Sequence, residues 1–197
     1  MEIRKTDEYD AWFRNLRDRQ AKARINARIR LCQTAGRPVG DINTIGDGVS
    51  ELRFHFGPGY RVYFAQKGDV VMLLLAGGDK RTQPKDIDRG QAHAGRTQGG
   101  QAMVTTSVWD ASEYLEDEQD AIAYINAAAE LDDPALLQAA IGDVAKARGM
   151  GQIAKEAGVG RESLYKSLGR DGNPSFRTIA KVVKALGGRI VIEPSAA

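Results

Sequence analysis

Between Gln91 and Ser107 the chain reads Q-A-H-A-G-R-T-Q-G-G-Q-A-M-V-T-T-S, small and polar residues with three glycines and no apolar periodicity. Such a stretch has little to bury and reads as a flexible linker. It divides the 197 residues into two domains, each able to build its own core. The expected layout is a domain over 1–92, a linker over 93–103 and a second domain over 104–197. Met103 stands where a second protein could begin, so the chain has the form of two adjacent reading frames merged into one.

Charge follows the same division. Residues 1–92 carry 17 Lys/Arg against 12 Asp/Glu, whereas residues 104–145 carry ten acids and no Lys or Arg. Residues 146–197 are basic again, with ten Lys/Arg against four acids. The overall net charge of +2 conceals this pattern. Two basic surfaces separated by an acidic block point to nucleic acid as the partner of each basic part. The single cysteine, Cys32, excludes an internal disulfide and lies among Ile25, Ile29 and Leu31, as a buried thiol would. The N-terminus lacks the apolar core of a signal peptide, and the run Val70–Ala76 is too short to span a bilayer. A cytoplasmic protein without membrane contact is expected. No Cys/His/carboxylate group has metal-ligand spacing, so neither metal nor cofactor is expected.

In the first domain Glu2–Arg4 reads as a short strand. Thr6 is placed to cap a helix with Asp7 and Glu8 in its first turn and Tyr9, Trp12, Phe13 and Leu16 on its apolar face. A second helix is expected over about 21–35, stopped by Gly36. The period then changes to two. Over Val49–Phe56, Leu52, Phe54 and Phe56 alternate with Glu51, Arg53 and His55; over Tyr60–Ala65, Tyr60, Val62 and Phe64 alternate with Arg61 and Tyr63. A three-residue turn at Gly57-Pro58-Gly59 would pair Phe56 with Tyr60, His55 with Arg61, Phe54 with Val62 and Arg53 with Tyr63. That hairpin gathers Arg53, His55, Arg61 and Tyr63 on one face. Val70–Ala76 suits a central strand, and it delivers Lys80 and Arg81 just beyond its end; a last short helix is expected from Pro84 to about Ala92.

This order of elements resembles the RelE/ParE superfamily of toxins. The segments E-L-R-F at 51–54, G-P-G-Y-R-V-Y-F at 57–64 and L-L-L-A-G-G-D-K at 73–80 look like its HigB-type, addiction-module-killer branch. The resemblance implies either mRNA cleavage in the ribosomal A site without a metal, as in RelE-like members, or poisoning of DNA gyrase, as in ParE-like members. Metal-free cleavage uses the ribose 2′-hydroxyl as nucleophile, and it requires a base, a donor for the leaving oxygen and cations for the phosphate. Arg61 suits the phosphate clamp, because a guanidinium meets two phosphate oxygens at once. Arg53, Lys80 and Arg81 would hold the mRNA backbone. Tyr63 or His55 would shuttle protons or stack on a base.

In the second domain Asp110 and Glu113 form a capping box, a helix is expected over about 119–131, and Asp133-Pro134 opens another that stops at Gly149. Residues 150–168 place Ile153, Ala154, Ala157, Val159, Leu164 and Leu168 where two crossed helices touch, with Gly158 at the turn: a helix-turn-helix. A supporting helix follows Asn173-Pro174-Ser175, with Phe176, Ile179, Val182, Val183 and Leu186 inside, and Arg189–Glu193 is expected as a strand. The segments S-L-Y-K-S-L and N-P-S-F-R-T resemble HigA-type antitoxins with a Cro/repressor-like DNA-binding domain. Arg161, Glu162, Ser163 and Lys166 would face the major groove, and Gln152 and Tyr165 would meet phosphates. The resemblance implies a homodimer on operator DNA.

The expected fold class is α+β: two helices on an antiparallel sheet, linked to an all-α helix-turn-helix domain. The leading functional expectation is a ribosome-dependent mRNA endonuclease joined to the autorepressing antitoxin that inhibits it. A gyrase inhibitor with its antitoxin, or a purely regulatory fusion with an inactive toxin domain, stand as alternatives.

Overall fold

A computed structural model describes residues 1–68, 71–98, 105–169 and 171–192. The chain is α+β and forms two compact units, Met1–Asp110 and Ala111–Ala197.

In the first unit β1 (Glu2–Thr6) leads into α1 (Asp7–Arg14), where the Thr6 hydroxyl accepts from the Tyr9 N–H. Asp18 caps α2 (Arg19–Ala35) in the same way, and Gly36 ends it in the left-handed conformation. Then follow β2 (Asp41–Gly46), β3 (Val49–Arg53), β4 (Tyr60–Lys67), β5 (Val71–Asp79), α3 (Gln83–Gln98) and β6 (Thr106–Val108). The sheet order is β2-β3-β4-β5-β1-β6, with β1 parallel to β5 and the other pairs antiparallel. Strand β5 is central, as its apolar run predicts, and Met72, Leu74, Leu75 and Ala76 are buried. Its two glycines accept helices on opposite faces. A Cβ on Gly77 would collide with the Trp12 ring of α1, and one on Gly78 with the Asp86 carboxylate of α3. Cys32 is buried, bonded through its sulfur to the Val39 backbone; burial pushes its thiol pKa up, which suits a structural role.

Four features of this unit differ from the sequence reading. The hairpin is shifted by two residues: Arg53 lies opposite Arg61, Leu52 opposite Val62 and Glu51 opposite Tyr63. The chain leaves the ladder because Phe56 packs between Phe54 and Tyr60 (5.7 and 5.8 Å between ring centroids), beneath the Arg24 guanidinium. A shift of two preserves the two faces where a shift of one would exchange them, so the alternation could not distinguish these registers. Strand β2, half of it exposed, carries no apolar alternation and gives no strand signal. Helix α3 continues past Ala92 to Gln98, with Ile87 and Ala94 packed on the Val49 and Tyr63 cluster and Gly90 letting the helix approach them closely. The expected linker therefore begins as helix. Residues 99–104 lie outside the described residues, and β6 joins the first unit's sheet although the sequence places it with the second domain.

The second unit begins with a single 3-10 turn, Ala111–Tyr114, where the capping box at Asp110 and Glu113 suggested a helix. Helices α4 (Glu118–Ala129), α5 (Pro134–Ala147), α6 (Met150–Ala157), α7 (Arg161–Leu168) and α8 (Phe176–Ala185) follow. Asp117, Asp133 and Ser175 supply side-chain caps to α4, α5 and α8. The core takes in Tyr114, Tyr124, Leu136, Ile141, Val144, Ile153, Leu164, Leu168, Val182 and Leu186. Phe176, expected inside, is 73% exposed, because it occupies the first position of α8, before the stripe reaches Val182 and Val183. Residues 189–192 form no strand, and Glu193 lies outside the described residues.

Candidate nucleic-acid interfaces

The polar cluster of the first unit is organised by an acid, Glu51, which is only 2% exposed. Its carboxylate accepts from Asn43 on β2 at 3.1 Å and from Gln83 on α3 at 3.3 Å, and lies 3.1 Å from Nε of Arg61 on β4. Three elements thus converge on one buried charge, which is tolerated because an opposite charge and hydrogen bonds surround it. Arg61 also donates to the Gly59 carbonyl at 2.9 Å. Space beside Gly59 is bounded by the Arg61 guanidinium and the Lys80 side chain. The turn therefore brings Arg61 and Lys80 to one end of the sheet.

Arg53 and His55 sit further out, and both are held by Asp41 on β2, at 2.7 and 2.5 Å. Arg81 is 81% exposed and held by Asp79 at 2.8 Å. Hydrogen bonding from Arg53, then from His55, holds the Asp41 carboxyl below the ordinary aspartate range. Since folding weakens the hold of Asp41 on its proton, this stabilisation is present above the ordinary aspartate pKa and is lost as pH falls through the lowered one. We expect the Asp41 carboxyl, followed by NMR, to titrate below unpaired surface aspartates, and Arg53→Ala to move its midpoint upward. An unchanged midpoint in that variant would show that Arg53 is not the cause.

Tyr63 does not stand where the sequence placed it. Its ring is fully buried among Val49, Leu75, Ala76 and Ala94, under α3. Burial first, then the Glu51 and Asp86 carboxylates, push its phenol pKa well up. With α3 in place a nucleotide cannot reach it, so proton transfer by Tyr63 is corrected to a core role. The period-two pattern correctly put Tyr63 on the Arg61 face but could not show that a helix covers part of that face. Sequence reasoning missed Glu51, Asp41, Gln83 and Asp86 as members of this cluster. An acid alternating with Arg53 on one face was the available signal for Glu51. Among the described residues no group of three or more His, Cys, Asp or Glu stands where it could hold a metal ion. Nor is any helix among them long and apolar enough to cross a membrane.

In the second unit the predicted helix-turn-helix is α6, Gly158 in the left-handed conformation (φ 62°), and α7. Ile153, Ala154, Ala157, Leu164 and Leu168 are buried and Val159 half-buried. Gln152, Arg161, Glu162, Ser163 and Lys166 are exposed, and Tyr165 is 71% exposed. Gln152 bonds Glu156 along its own helix at 2.9 Å. The far end of α7 is fixed by Gln138 on α5, whose amide nitrogen donates to the carbonyls of Ser167, Gly169 and Gly172 at 2.8–3.1 Å. Gln138 carried no sequence signal: it lies in an ordinary helix, and its partners are backbone atoms about thirty residues on.

Residues 11–93 match the family described as phage derived protein Gp49-like. Residues 105–194 match the family described as "Probable addiction module antidote protein". Two proteins of Haemophilus influenzae strain Rd, each carrying the description "Uncharacterized protein", are similar over 87 residues. One is 46% identical, covering 44% of this chain and 86% of the relative. The other is 42% identical, covering 44% of this chain and 90% of the relative. No solved structure matches the chain. With a Gp49-like match over residues 11–93 and an addiction-module-antidote match over residues 105–194, the chain carries the two parts of a toxin–antitoxin module.

Proposed function

We propose that residues 1–92 are a ribosome-dependent mRNA endonuclease, and that residues 104–197 inhibit it and repress their own operator as a homodimer. The observation that carries the enzymatic reading is the placement of Arg61 and Lys80 beside Gly59, with Arg53 at the end of β3 and His55 just beyond it, both bonded to Asp41. In the proposed step the 2′-hydroxyl loses its proton to a base and attacks the adjacent phosphorus. The 5′-oxygen leaves with a proton from a donor, and a cyclic phosphate forms. Arg61 and Lys80 neutralise the charge that develops on the phosphate oxygens, and exposed His55 is the candidate for proton transfer. The regulatory reading rests on the exposed first turns of α7. Exposed Phe176, Ile190, Val191 and Ile192 offer apolar surface for the second copy. The acidic stretch 104–145 has the sign required of an inhibitor of a basic domain.

A second reading has an observation in its favour. Arg53, Arg61 and Arg81 are each held by a carboxylate and Tyr63 is covered, an arrangement that a gyrase-docking surface tolerates better than a phosphate-cleaving one. Expression of residues 1–98 alone separates the two. Cleavage of translating mRNA is the expected result, with protection by residues 105–197 supplied separately. Intact mRNA with trapped gyrase–DNA complexes would select the docking reading, and full viability would leave a regulatory fusion.

A further inference from the structure

Strand β6 lies within the stretch matched by the antidote family, yet it is the sixth strand of the sheet built by the other half. Its register against β1 is antiparallel: Arg4 faces Val108, Lys5 faces Ser107 and Thr6 faces Thr106. The Trp109 N–H donates to the Ile3 carbonyl at 2.9 Å. Antiparallel ladders alternate between bonded and non-bonded pairs, so the Ile3–Trp109 bond makes Lys5–Ser107 the next bonded pair. Arg4 adds two contacts, from Nε to the Thr106 hydroxyl and from Nη2 to the Thr106 carbonyl, each 3.0 Å. Trp109 closes the strand and is 1% exposed. Without this segment β1 would be an edge with unpaired backbone groups, which sheets cover or blunt.

We propose that residues 105–110 are the recognition segment by which the antidote half grips the toxin half, through strand addition to the β1 edge that needs no covalent connection. Main-chain bonds to Ile3 and Lys5 supply the attachment, and Trp109 and the Arg4–Thr106 contacts fix which segment is accepted. Two separate chains carrying these halves would dock by the same strand. The proposal rests on the toxin–antitoxin reading only for its biological meaning; the physical claim concerns association.

The test uses the full chain with a protease recognition sequence substituted for residues 99–104, cut after purification. The halves are expected to elute together from size exclusion. Ser107→Pro removes a ladder donor and Trp109→Ala the buried anchor. Together they are expected to weaken the association of the cut halves by on the order of 100-fold or more. Ile42→Lys is the control: Ile42 is 36% exposed on β2, at the opposite edge of the sheet, and its replacement should leave the halves together. Ser107→Pro alone, which spares the core, guards against a double variant that misfolds; it should still loosen the complex while the uncut chain keeps its thermal unfolding. Separation of the cut wild-type halves, or undiminished association in a folded Ser107→Pro chain, would overturn the proposal. Halves that stay together through β6, while residues 1–98 alone leave cells viable, would overturn the toxin reading and leave this inference standing.

Discussion

Replacing Glu51 and Arg61 together by glutamine is expected to leave residues 1–98 folded and to abolish their toxicity. In the proposed reaction Arg61 clamps the phosphate, and removing one electrostatic contact to a developing charge typically costs on the order of 100- to 1000-fold in rate. Arg61→Ala alone would be a misleading test. It would leave the Glu51 carboxylate, 2% exposed, without its opposite charge. Breaking a buried pair from one side costs about 3–5 kcal/mol, a large part of a small domain's stability. Loss of killing would then report unfolding. The double glutamine variant removes both charges, is isosteric at Glu51 and shortens only Arg61, and the Glu51→Gln amide oxygen still accepts from Asn43. Thermal unfolding, growth arrest and cleavage of translating mRNA should be measured on the same preparations. A folded double variant that still arrests growth and cleaves mRNA at the wild-type rate would remove Arg61 from the chemistry.

That pair also shows where sequence reading reaches its limit. The alternation of residues 49–65 fixes which side chains share a face, because a strand's period is two, and the structure keeps Glu51, Arg53, Arg61 and Tyr63 on one side. What lies above that face depends on α3, whose expected end near Ala92 falls short of the packing residue Ala94, and nothing local shows that Gly90 and Ala94 meet a sheet. Burial of Tyr63 follows from that helix and cannot be read from Tyr63 itself. Caps were legible because they are local: Thr6, Asp133 and Ser175 each bond an N–H two or three residues on. Contacts made at long range were not. Asp41 reaches Arg53 from a strand without apolar alternation, and Gln138 reaches three carbonyls at the end of α7. The helix-turn-helix stood out for the opposite reason, since both helices, the turn glycine and the buried positions fall within nineteen consecutive residues, 150–168.

Arg161→Ala with Lys166→Ala is expected to weaken operator binding by about 100-fold or more while leaving the melting temperature unchanged. Both side chains are exposed on α7 and neither enters the core formed by Leu164 and Leu168, so their loss should cost little stability. Each base-edge contact contributes roughly 1–3 kcal/mol of discrimination, and two lost together multiply in the binding constant. If one of the two meets a phosphate instead, the dependence of log K on log salt should become shallower by about one unit for that contact. Binding isotherms at several salt concentrations therefore separate the roles of Arg161 and Lys166 when the single variants are compared. Gln138→Ala provides the contrast. Its amide ties the end of α7 to α5 without facing solvent as the α7 side chains do, so its removal should lower the melting temperature and operator affinity together. Wild-type affinity in the double variant would show that α7 does not read the DNA. Loss of affinity accompanied by a lower melting temperature would show that one of these side chains supports the fold rather than the operator.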